Sequence, residues 1–558
     1  MSAPVLTSIP FLPTLRETAR KLSVRHQSPG WKILTLFCCV MTAASAAQSG
    51  DFFYNDNGSD VTITGYAVGA PPDVSIPASI IISQDPVVEK SVVSIGTSAF
   101  EGRTELTSVT ISSGVTNIGS RAFYDCIAIT SVTLPSTVTT IGTYSFFNCR
   151  ALPGIALPPS VTSIGRNTFS YCVALTSMSL PTGVTSIGIE AFFRCAALSS
   201  VTIPATVTSI GFGAFSYCSG LTSVVIPSGV TSIAGSTFYS CSGMTSVTLP
   251  STLTSIGTFA FQYCSALTTV AIPNIANLQN KVFANCRGLT SIEIPASVTI
   301  IHLAAFAECS ALTSFTVAAG NPNFNSSNGL LTNKTQTRLI TCPAGVSGNF
   351  TIPPGLTDID TQAFRYCGEL TGVTFHTGVL SIGSQAFSTC SKLTHAIFMG
   401  NPPSIGFGAF ELPAAGFTIY YLKTGTGFTS PTWSGYPALH VEAITPVFYW
   451  LLAKGQPGNS DLQSDANGDG INLLMAYALN LDPNVFNTAP QPVFGRNQMS
   501  LSFHAGVAGV TYTVKCSEDM QVWSTTGVTL SEPDANQVRT ATVDATGPKC
   551  FMRLEVNL

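Results

Sequence analysis

The chain has 558 residues, of which 45% are hydrophobic and only 9% are charged, and its formal net charge is −4. A typical soluble protein has about 25% charged residues, so other polar side chains must keep this chain in solution. A nucleic-acid partner is not expected because no basic stripe is visible, and disorder is excluded because the hydrophobic content is too high.

The first 46 residues predict a secretory signal peptide. Basic residues occur from Arg16 to Lys32, an apolar core follows at 33–41, and Ala44-Ser45-Ala46 is a small-x-small cleavage site. A membrane anchor is the alternative, but this apolar core is shorter than the roughly 20 residues that span a bilayer. We therefore expect an exported protein, secreted or at the cell surface, with no transmembrane segment after cleavage.

A 23-residue repeat fills most of the chain that follows. Phenylalanines recur at this step from Phe100 to Phe261, continue at 283 and 306, and resume at 364, 387 and 410. Repeats of about 20–50 residues indicate stacked coils, because a single coil cannot bury its own apolar face. The 13 units therefore predict one solenoid in place of several globular domains.

Each unit predicts two short strands and a turn, as in the unit that runs from Leu221 to Cys241. Leu-x-x-Val-x-Leu/Ile alternates like a strand, and the proline after it ends the strand because it cannot continue a ladder. Val-x-x-Ile-Gly is a second extended segment, and Ala-Phe-x-x-Cys turns the chain back over the core. The predicted fold is therefore mainly β.

Serine and threonine occupy the outward positions of the first strand in many units. Stacked strands lie about 4.8 Å apart, so these side chains form columns of hydroxyls that replace charge on the surface. Gly154 and Ala156 interrupt the columns. We predict a ligand face represented by Ser131, Thr133, Ser177, Ser179, Ser200, Thr202, Ser246, Thr248, Ser314 and Thr316.

Sixteen cysteines in an exported chain first indicate disulfides. Eleven of them, however, recur at one repeat position between Cys126 and Cys390. Free cysteine behaves as a small buried apolar residue, and parallel side chains suit a disulfide poorly, so we predict a buried thiol column. Cys516 and Cys550 are the candidate structural disulfide, with two separate buried thiols as the alternative.

The consensus L-T-S-V-T-L-P-x-x-V-T-S-I-G-x-x-A-F-x-x-C resembles the BspA-type leucine-rich repeat family. This resemblance implies a right-handed leucine-rich-repeat solenoid, here at 93–412, that binds ligands at bacterial surfaces. Residues from about 318 to 352 resemble the irregular insertion of such arrays. Residues 47–92 and 413–445 resemble the caps that cover exposed end coils.

Residues 446–485 predict a short helix and an EF-hand-like loop. Asp465, Asn467 and Asp469 have the spacing of the first half of a calcium loop, in which Ile471 would offer its carbonyl. The loop resembles a dockerin-like or thrombospondin-type-3-like loop, but position twelve is Ala476, where a carboxylate normally completes the calcium shell. The alternative is an Asx-rich turn that caps a helix over 473–481.

Residues 486–558 predict a small β-sandwich module. Residues 499–503, 512–516, 538–543 and 551–556 alternate as strands do, and Trp523 is expected in the core.

The motifs G-x-S-x-G, H-E-x-x-H and G-x-x-x-x-G-K-[ST] do not occur in the sequence, so we expect no enzymatic activity. The leading hypothesis is a secreted or surface-displayed scaffold for protein binding and adhesion through the repeat face. Its expected ligand is an extracellular protein or polysaccharide. The alternative is a structural spacer or surface-layer component that presents a calcium-dependent C-terminal binding module.

Overall fold

The computed structural model describes residues 47–422, 425–465, 467–485, 487–494, 498–544 and 551–558. The predicted signal peptide at 1–46 lies outside these residues. Cys550 does too, so the disulfide expected between Cys516 and Cys550 also falls outside them. Within the described residues the protein is mainly β, as the sequence predicts, with two short α-helices.

Six strands form the N-terminal cap: β1 (Ala47–Ser49), β2 (Phe52–Asp56), β3 (Asp60–Tyr66), β4 (Asp73–Ile76), β5 (Ser79–Gln84) and β6 (Val87–Ile95). Strand β3 pairs in parallel with β6, and β4 pairs in parallel with the first strand of the repeats. Tyr66 stands in for the repeat phenylalanine, with its ring centroid 5.4 Å from that of Phe100. Residues 60–76 therefore form a coil of their own inside the predicted cap.

Short parallel strands recur along the regular repeats. They are β7 (Ser108–Ile111), β8 (Asn117–Ile118), β9 (Ser131–Thr133), β10 (Thr140–Ile141), β11 (Ser163–Ile164), β12 (Ser177–Ser179), β13 (Ser186–Ile187), β14 (Ser200–Thr202), β15 (Ser209–Ile210), β16 (Ser223–Val225), β17 (Ser232–Ile233), β18 (Ser246–Thr248), β19 (Ser255–Ile256), β20 (Asn277–Leu278), β21 (Ser291–Ile294), β22 (Ile300–Ile301) and β23 (Ser314–Val317). Pairs such as Ser177 with Ser200 and Ile164 with Ile187 lie 23 residues apart, so the sequence repeat is also the register of the sheets.

Buried columns of identical residues hold these coils together. The phenylalanine rings stack from Phe100 to Phe306 with neighbouring centroids 5.0–5.9 Å apart. The glycine of each Ile-Gly pair lets the next coil approach: a Cβ on Gly211 would lie 2.6 Å from the Ile189 nitrogen. The repeated residue types therefore set the close spacing of the coils.

The later strands are β24 (Phe324–Ser327), β25 (Leu330–Asn333), β26 (Arg338–Thr341), β27 (Gly348–Thr351), β28 (Asp358–Ile359), β29 (Leu370–Phe375), β30 (Ser381–Ile382), β31 (His395–Phe398), β32 (Ser404–Ile405), β33 (Thr418–Leu422), β34 (Thr432–Trp433) and β35 (Tyr436–Val441). The segment expected to be an irregular insertion, at about 318–352, first departs from the parallel repeat and then rejoins it. Strands β24 to β26 are antiparallel, and β26 and β27 then pair in parallel with β28 and β29.

Residues 338–351 thus add a coil that the phenylalanine spacing does not reveal, because Cys342-Pro343 replaces the usual Ala-Phe turn. With the coil in the cap, the solenoid has about 15 turns where the sequence predicted 13 units. The stacked phenylalanines are interrupted here, since Phe306 meets Phe315 edge-on at 5.3 Å. The buried residues accordingly form one cluster up to Leu331 and a second from Leu330 to Ala438.

Helix α1 (Pro446–Ala453) lies against the last sheet of the solenoid. Thr445 caps the helix by accepting a hydrogen bond from the Phe448 nitrogen at 3.3 Å. The Phe448 ring packs edge-on against Tyr420 of β33, with 5.3 Å between centroids. Strand β33 pairs in parallel with a further strand, β35, so β35 and α1 cover this end of the solenoid.

The C-terminal elements are α2 (Leu473–Ala478), β36 (Val493–Phe494), β37 (Gln498–His504), β38 (Thr511–Ser517), β39 (Val528–Leu530), β40 (Val538–Asp544) and β41 (Phe551–Asn557). Antiparallel ladders β36-β37-β40-β39 and β38-β41 share one buried cluster that includes Met499, Val514 and Met552. Trp523 is not in this core. It is half-buried beneath the Arg553 guanidinium, 4.4 Å from the ring centroid, because strand alternation turns Arg553 away from buried Met552.

Candidate functional site

The predicted ligand face lies on the first strand of each coil. Nine of its ten residues are exposed, and each pair flanks a less accessible residue. Strands β12 and β14 align Ser177 with Ser200 and Ser179 with Thr202, so the hydroxyls stack in register. The eight residues on β9, β12, β14 and β18, here called the strand face, are Ser131, Thr133, Ser177, Ser179, Ser200, Thr202, Ser246 and Thr248.

Other hydroxyl columns bind the coils to each other. Thr222 Oγ1 donates to the carbonyl of Ser199 at 3.2 Å, and Thr245 Oγ1 donates to the carbonyl of Thr222 at 3.1 Å. Beside the return strands, Thr208 Oγ1 donates to the carbonyl of Thr185 at 3.4 Å. In the described part of the chain, the strand-face hydroxyls make no side-chain hydrogen bond. They therefore keep their donors and acceptors for solvent or a ligand.

Ser314 and Thr316 differ from the other predicted residues of the face. Ser314 is half-buried because the turn between β24 and β25 packs on it: a Cβ on Gly329 would lie 3.2 Å from Ser314 Cβ. Thr316 Oγ1 donates to the carbonyl of Ile292 at 3.4 Å. The hairpin after residue 317 thus covers Ser314, whereas Thr316 is exposed but uses its hydroxyl in a bond to the neighbouring coil.

A shallow depression of about 430 Å³ interrupts the strand face. Its floor is the coil of Gly154 and Ala156, which lack the hydroxyl side chains of neighbouring coils and form no strand there. Ser177 and Ser179 line one wall. The break in the hydroxyl columns at Gly154 and Ala156 is therefore a concave patch next to free hydroxyl groups.

The eleven repeat cysteines are buried free thiols, which confirms the predicted column. In the regular coils the thiol donates to the phenylalanine carbonyl of the preceding coil, as from Cys218 Sγ to the Phe192 oxygen at 3.1 Å. Burial raises the pKa of Cys218 to about 12. A thiol protonated at neutral pH is neither a nucleophile nor a metal ligand, so the column is structural.

Arg103 occupies the position that precedes the thiol column. Its guanidinium donates to the carbonyl of Tyr66, the aromatic residue that stands in for phenylalanine in the cap coil. Arg103 therefore makes the hydrogen bond that cysteine makes in later coils.

The predicted calcium residues lie in one curled loop. Asp465 Oδ1 accepts from the Gly468 nitrogen at 2.9 Å, and Asp469 Oδ1 accepts from the Ile471 nitrogen at 2.8 Å. Gly470, at loop position six, has the positive φ of 83° that the sharp turn requires. Ala476 is buried in α2, so its side chain adds no oxygen ligand.

Helix α2 begins at the residue after Asn472, whose Oδ1 accepts from the Met475 nitrogen at 2.8 Å. The capping part of the alternative interpretation is therefore seen, with Asn472 as the N-cap. No group of three or more His, Cys, Asp or Glu side chains is placed to hold a metal ion anywhere in the described residues.

The structure shows a second surface that the sequence analysis missed. In seven consecutive coils the turn after the buried phenylalanine carries another aromatic ring, and neighbouring centroids lie 4.6–5.5 Å apart. The sequence signal is an aromatic residue one or two positions after that phenylalanine. This signal is easily missed because the aromatic residue does not keep one fixed position in the 23-residue repeat. This aromatic ladder consists of Tyr124, Phe147, Tyr171, Phe193, Tyr217, Tyr239 and Tyr263.

A family model described as "BspA type Leucine rich repeat region (6 copies)" matches residues 93–222, 208–328 and 346–416, which is more than half of the chain. The chain belongs to the BspA-type leucine-rich repeat family. Both the stacked phenylalanines and the strand face fall within the BspA-type region. Residues after 416 lie beyond the matched region.

Solved structures of leucine-rich repeat proteins are similar to parts of this chain, and the first of them shares its fold. A leucine-rich repeat protein from Bacteroides ovatus is 24% identical over 70% of this chain and 98% of its own, with a TM-score of 0.52. A leucine rich cell surface protein from Faecalibacterium prausnitzii is 24% identical over 75% and 98%, with a TM-score of 0.33. The leucine-rich repeat protein of T. pallidum is 28% identical over 39% and 88%, with a TM-score of 0.29.

No curated protein matches this BspA-type chain. Neither of the helices in the described ranges is long and apolar enough to cross a membrane.

Proposed function

We propose that this BspA-type protein is a non-enzymatic scaffold that binds an extracellular protein through its strand face. The observation that carries the proposal is the difference between the hydroxyl columns. Flanking hydroxyls such as those of Thr222 and Thr245 bond to neighbouring coils, whereas the strand-face hydroxyls bond to no other side chain or backbone group within the described residues.

The spacing of the strand face favours an extended ligand. Hydroxyl pairs recur along the stack at about 4.8 Å per coil, so a ligand that follows the solenoid axis meets donors and acceptors at regular intervals. One hydrogen bond contributes only about 0.5–1.5 kcal/mol net, so useful affinity requires several coils at once. The depression at Gly154 and Ala156 provides a place for one protruding side chain of the ligand.

Export and display at the cell surface or in the medium are part of the proposal. They rest on the basic stretch, apolar core and small-x-small site of residues 1–46.

The test compares two sets of four substitutions in the full chain. The strand-face variant, S177A/S179A/S200A/T202A, removes free hydroxyls. The return-strand variant, S163A/S209A/S232A/S255A, removes exposed serines from the other sheet as a matched control. Biolayer interferometry on immobilised collagen, laminin and fibronectin should show binding that only the strand-face variant loses. Equal binding by both variants, or no binding by the parent chain, would contradict the proposal.

A structural spacer is the second candidate, favoured by the regular 23-residue register. Deleting residues 177–222 removes two coils and preserves the register of the remaining columns. If the solenoid is only a spacer, binding of the full chain to matrix proteins should not change after this deletion. If the ligand face includes Ser177 and Thr202, the deletion should weaken that binding.

Calcium binding at 465–471 and a C-terminal β-sandwich remain part of the proposal for the module that follows the solenoid. The glycine geometry of the loop and the apolar cluster between the two ladders support them. Titration of the full chain with calcium chloride, with magnesium chloride as the control, should raise its melting temperature. D465A/D469A should abolish that rise, and an equal rise in this variant would contradict calcium binding at the loop.

A further inference from the structure

Backbone conformation does not account for the tyrosines of the aromatic ladder. Tyr171, Tyr217 and Tyr263 adopt positive φ values of 63°, 61° and 64°. This left-handed conformation disfavours bulky side chains, and among non-glycine residues asparagine and aspartate tolerate it best. Asn148 and Asn285 occupy the same coil position elsewhere in the stack. Tyrosine is thus used where a smaller residue would suit the backbone better.

The ladder presents its rings to solvent in alternate coils. Tyr217 and Tyr263 are 37% and 40% exposed, while Tyr239 between them is half-buried and contacts both rings. In the coil between them, Ser240 occupies the position that Tyr217 and Tyr263 have in their own coils. Its small side chain leaves space between the two exposed rings. Two coils separate these tyrosines, and the stacked phenylalanines of the same coils lie 5.6 and 5.4 Å apart, so projecting rings recur about every 11 Å.

A groove beside the ladder combines aromatic and polar groups. Phe212 is 50% exposed, and its ring lies 3.2 Å from where a Cβ on Gly235 would be, so the missing side chain makes room for the ring. The groove, of about 190 Å³, is lined by Glu190, Phe193, Phe212, Gly213, Ser216, Tyr217, Ser236 and Tyr239.

One acidic and one basic side chain occur at this part of the ladder. Glu190 keeps acceptor capacity beyond its hydrogen bond from Asn167 Nδ2 at 3.1 Å. The Arg194 guanidinium lies 5.0 Å from the centroid of Tyr217 and 5.4 Å from that of Tyr171. The opposite charges and the surrounding hydroxyls favour a neutral ligand that both donates and accepts hydrogen bonds.

We propose that the aromatic ladder and the adjoining groove bind a neutral, linear β-1,4-linked polysaccharide. A pyranose ring has an apolar C–H face that packs on aromatic rings and hydroxyls at its edge that meet Glu190 and Ser236. The two-residue repeat of such a chain is close to the spacing of the projecting tyrosines. Each two coils of the ladder therefore accommodate two sugar residues.

Two other polymers fit the ladder less well. Single-stranded nucleic acid stacks on aromatic rings but also needs a cationic groove, and this chain has a net charge of −4. A polyproline helix repeats about every 9.3 Å, which is shorter than the tyrosine spacing. In addition, Glu190 can only accept hydrogen bonds when ionised, and proline has no N–H to donate. Sugar hydroxyls supply those donors.

The ladder lies in the turns of the coils, away from the strands that carry the strand face. The inference therefore does not depend on the proposed protein ligand, and each surface can fail without the other.

Affinity electrophoresis of the full chain tests the inference. Native gels contain hydroxyethylcellulose, xylan or glucomannan, with dextran and poly-L-proline as comparison polymers. Y217N/Y263N removes the projecting rings with the residue found at Asn148 and Asn285, and F212T removes one wall of the groove. F407T is the matched control, because Phe407 occupies the same coil position as Phe212 outside the ladder and is 84% exposed.

At least one β-1,4-linked polysaccharide should retard the parent chain and F407T equally. F212T should weaken binding about fivefold to tenfold, the factor expected for one stacking ring, and Y217N/Y263N should abolish it. Unchanged circular dichroism would show that both variants fold. Lack of retardation by all three polysaccharides, unchanged binding by Y217N/Y263N, or retardation by poly-L-proline alone would overturn the proposal.

Discussion

His395 is the group through which we expect pH to change the stability of the solenoid most clearly. It is 4% exposed on β31, and its Nδ1 lies 2.9 Å from Thr394 Oγ1. Nε2 is buried and has no hydrogen-bond partner within the described residues. Burial lowers the pKa of His395 from 6.5 to about 4, so the imidazole is neutral in the folded protein at pH 7.

The unfolded chain takes up this proton near pH 6.5, whereas the folded chain does so only near pH 4. Stability from the neutral imidazole is therefore complete above pH 6.5 and is lost as the pH falls from 6.5 to 4. The difference between the pKa values of His395 in the unfolded and folded chains corresponds to about 3 kcal/mol of unfolding free energy. About 2 kcal/mol of this is lost by pH 5.

Urea unfolding of the parent chain and H395T at pH 7.5, 6.0 and 5.0 measures this loss. Threonine is the residue at 418, directly opposite His395 on the next strand. The substitution leaves a cavity at every pH, but it should remove the extra loss on acidification. The same pH dependence in the parent and H395T would refute this account of His395.

Three further predictions concern the packing of the coils. Cys218→Ala removes the thiol that donates to the Phe192 carbonyl, which still accepts from the Cys195 nitrogen, and should lower the free energy of unfolding in urea by about 0.5–1.5 kcal/mol, whereas an unchanged value would contradict the thiol hydrogen bond. Gly211→Ala places a Cβ 2.6 Å from the backbone of the preceding coil and should lower the melting temperature, while Gly154→Ala, with nothing within 4 Å, should leave it unchanged. Arg103→Ala should speed hydrogen exchange in the N-terminal cap because the Tyr66 carbonyl loses its donor; unchanged exchange there would exclude that role.

The repeat could be predicted because each coil uses the same positions for the same contacts. A step of 23 residues placed the phenylalanines and cysteines in columns, and the strand register has the same step. The strands of the C-terminal residues were also visible in the sequence, since alternation over 499–503 or 512–516 requires no knowledge of distant contacts.

Other features depend on contacts between residues far apart in the chain. The coil at 338–351 escaped prediction because Cys342-Pro343 replaces the aromatic turn, and its strands are identified only by their parallel partners. Ser314 is covered by a hairpin whose course the repeat does not specify. Trp523 was expected in the core because of its size, but Arg553 on the outer side of β41 provides its contact.

In the candidate binding surfaces, too, some features could be predicted from the local sequence and others depend on contacts between coils. Exposure of residues such as Ser177 and Thr202 followed from strand alternation, whereas the bonds that occupy the hydroxyls of Thr222 and Thr245 required the positions of adjacent coils. The aromatic ladder was missed because its rings alternate between two positions of the repeat and meet only when the coils stack.

The central claim is that stacking leaves the strand-face hydroxyls free for a protein ligand. The most direct measurement is the dissociation constant of the full chain for a matrix protein that it binds, compared between the strand-face and return-strand variants. We expect the strand-face variant to bind at least about tenfold more weakly than the parent, since four hydroxyls at about 0.5–1.5 kcal/mol each exceed that factor, and the return-strand variant to match the parent. Equal affinities of the parent chain, the strand-face variant and the return-strand variant for the matrix protein would contradict the claim.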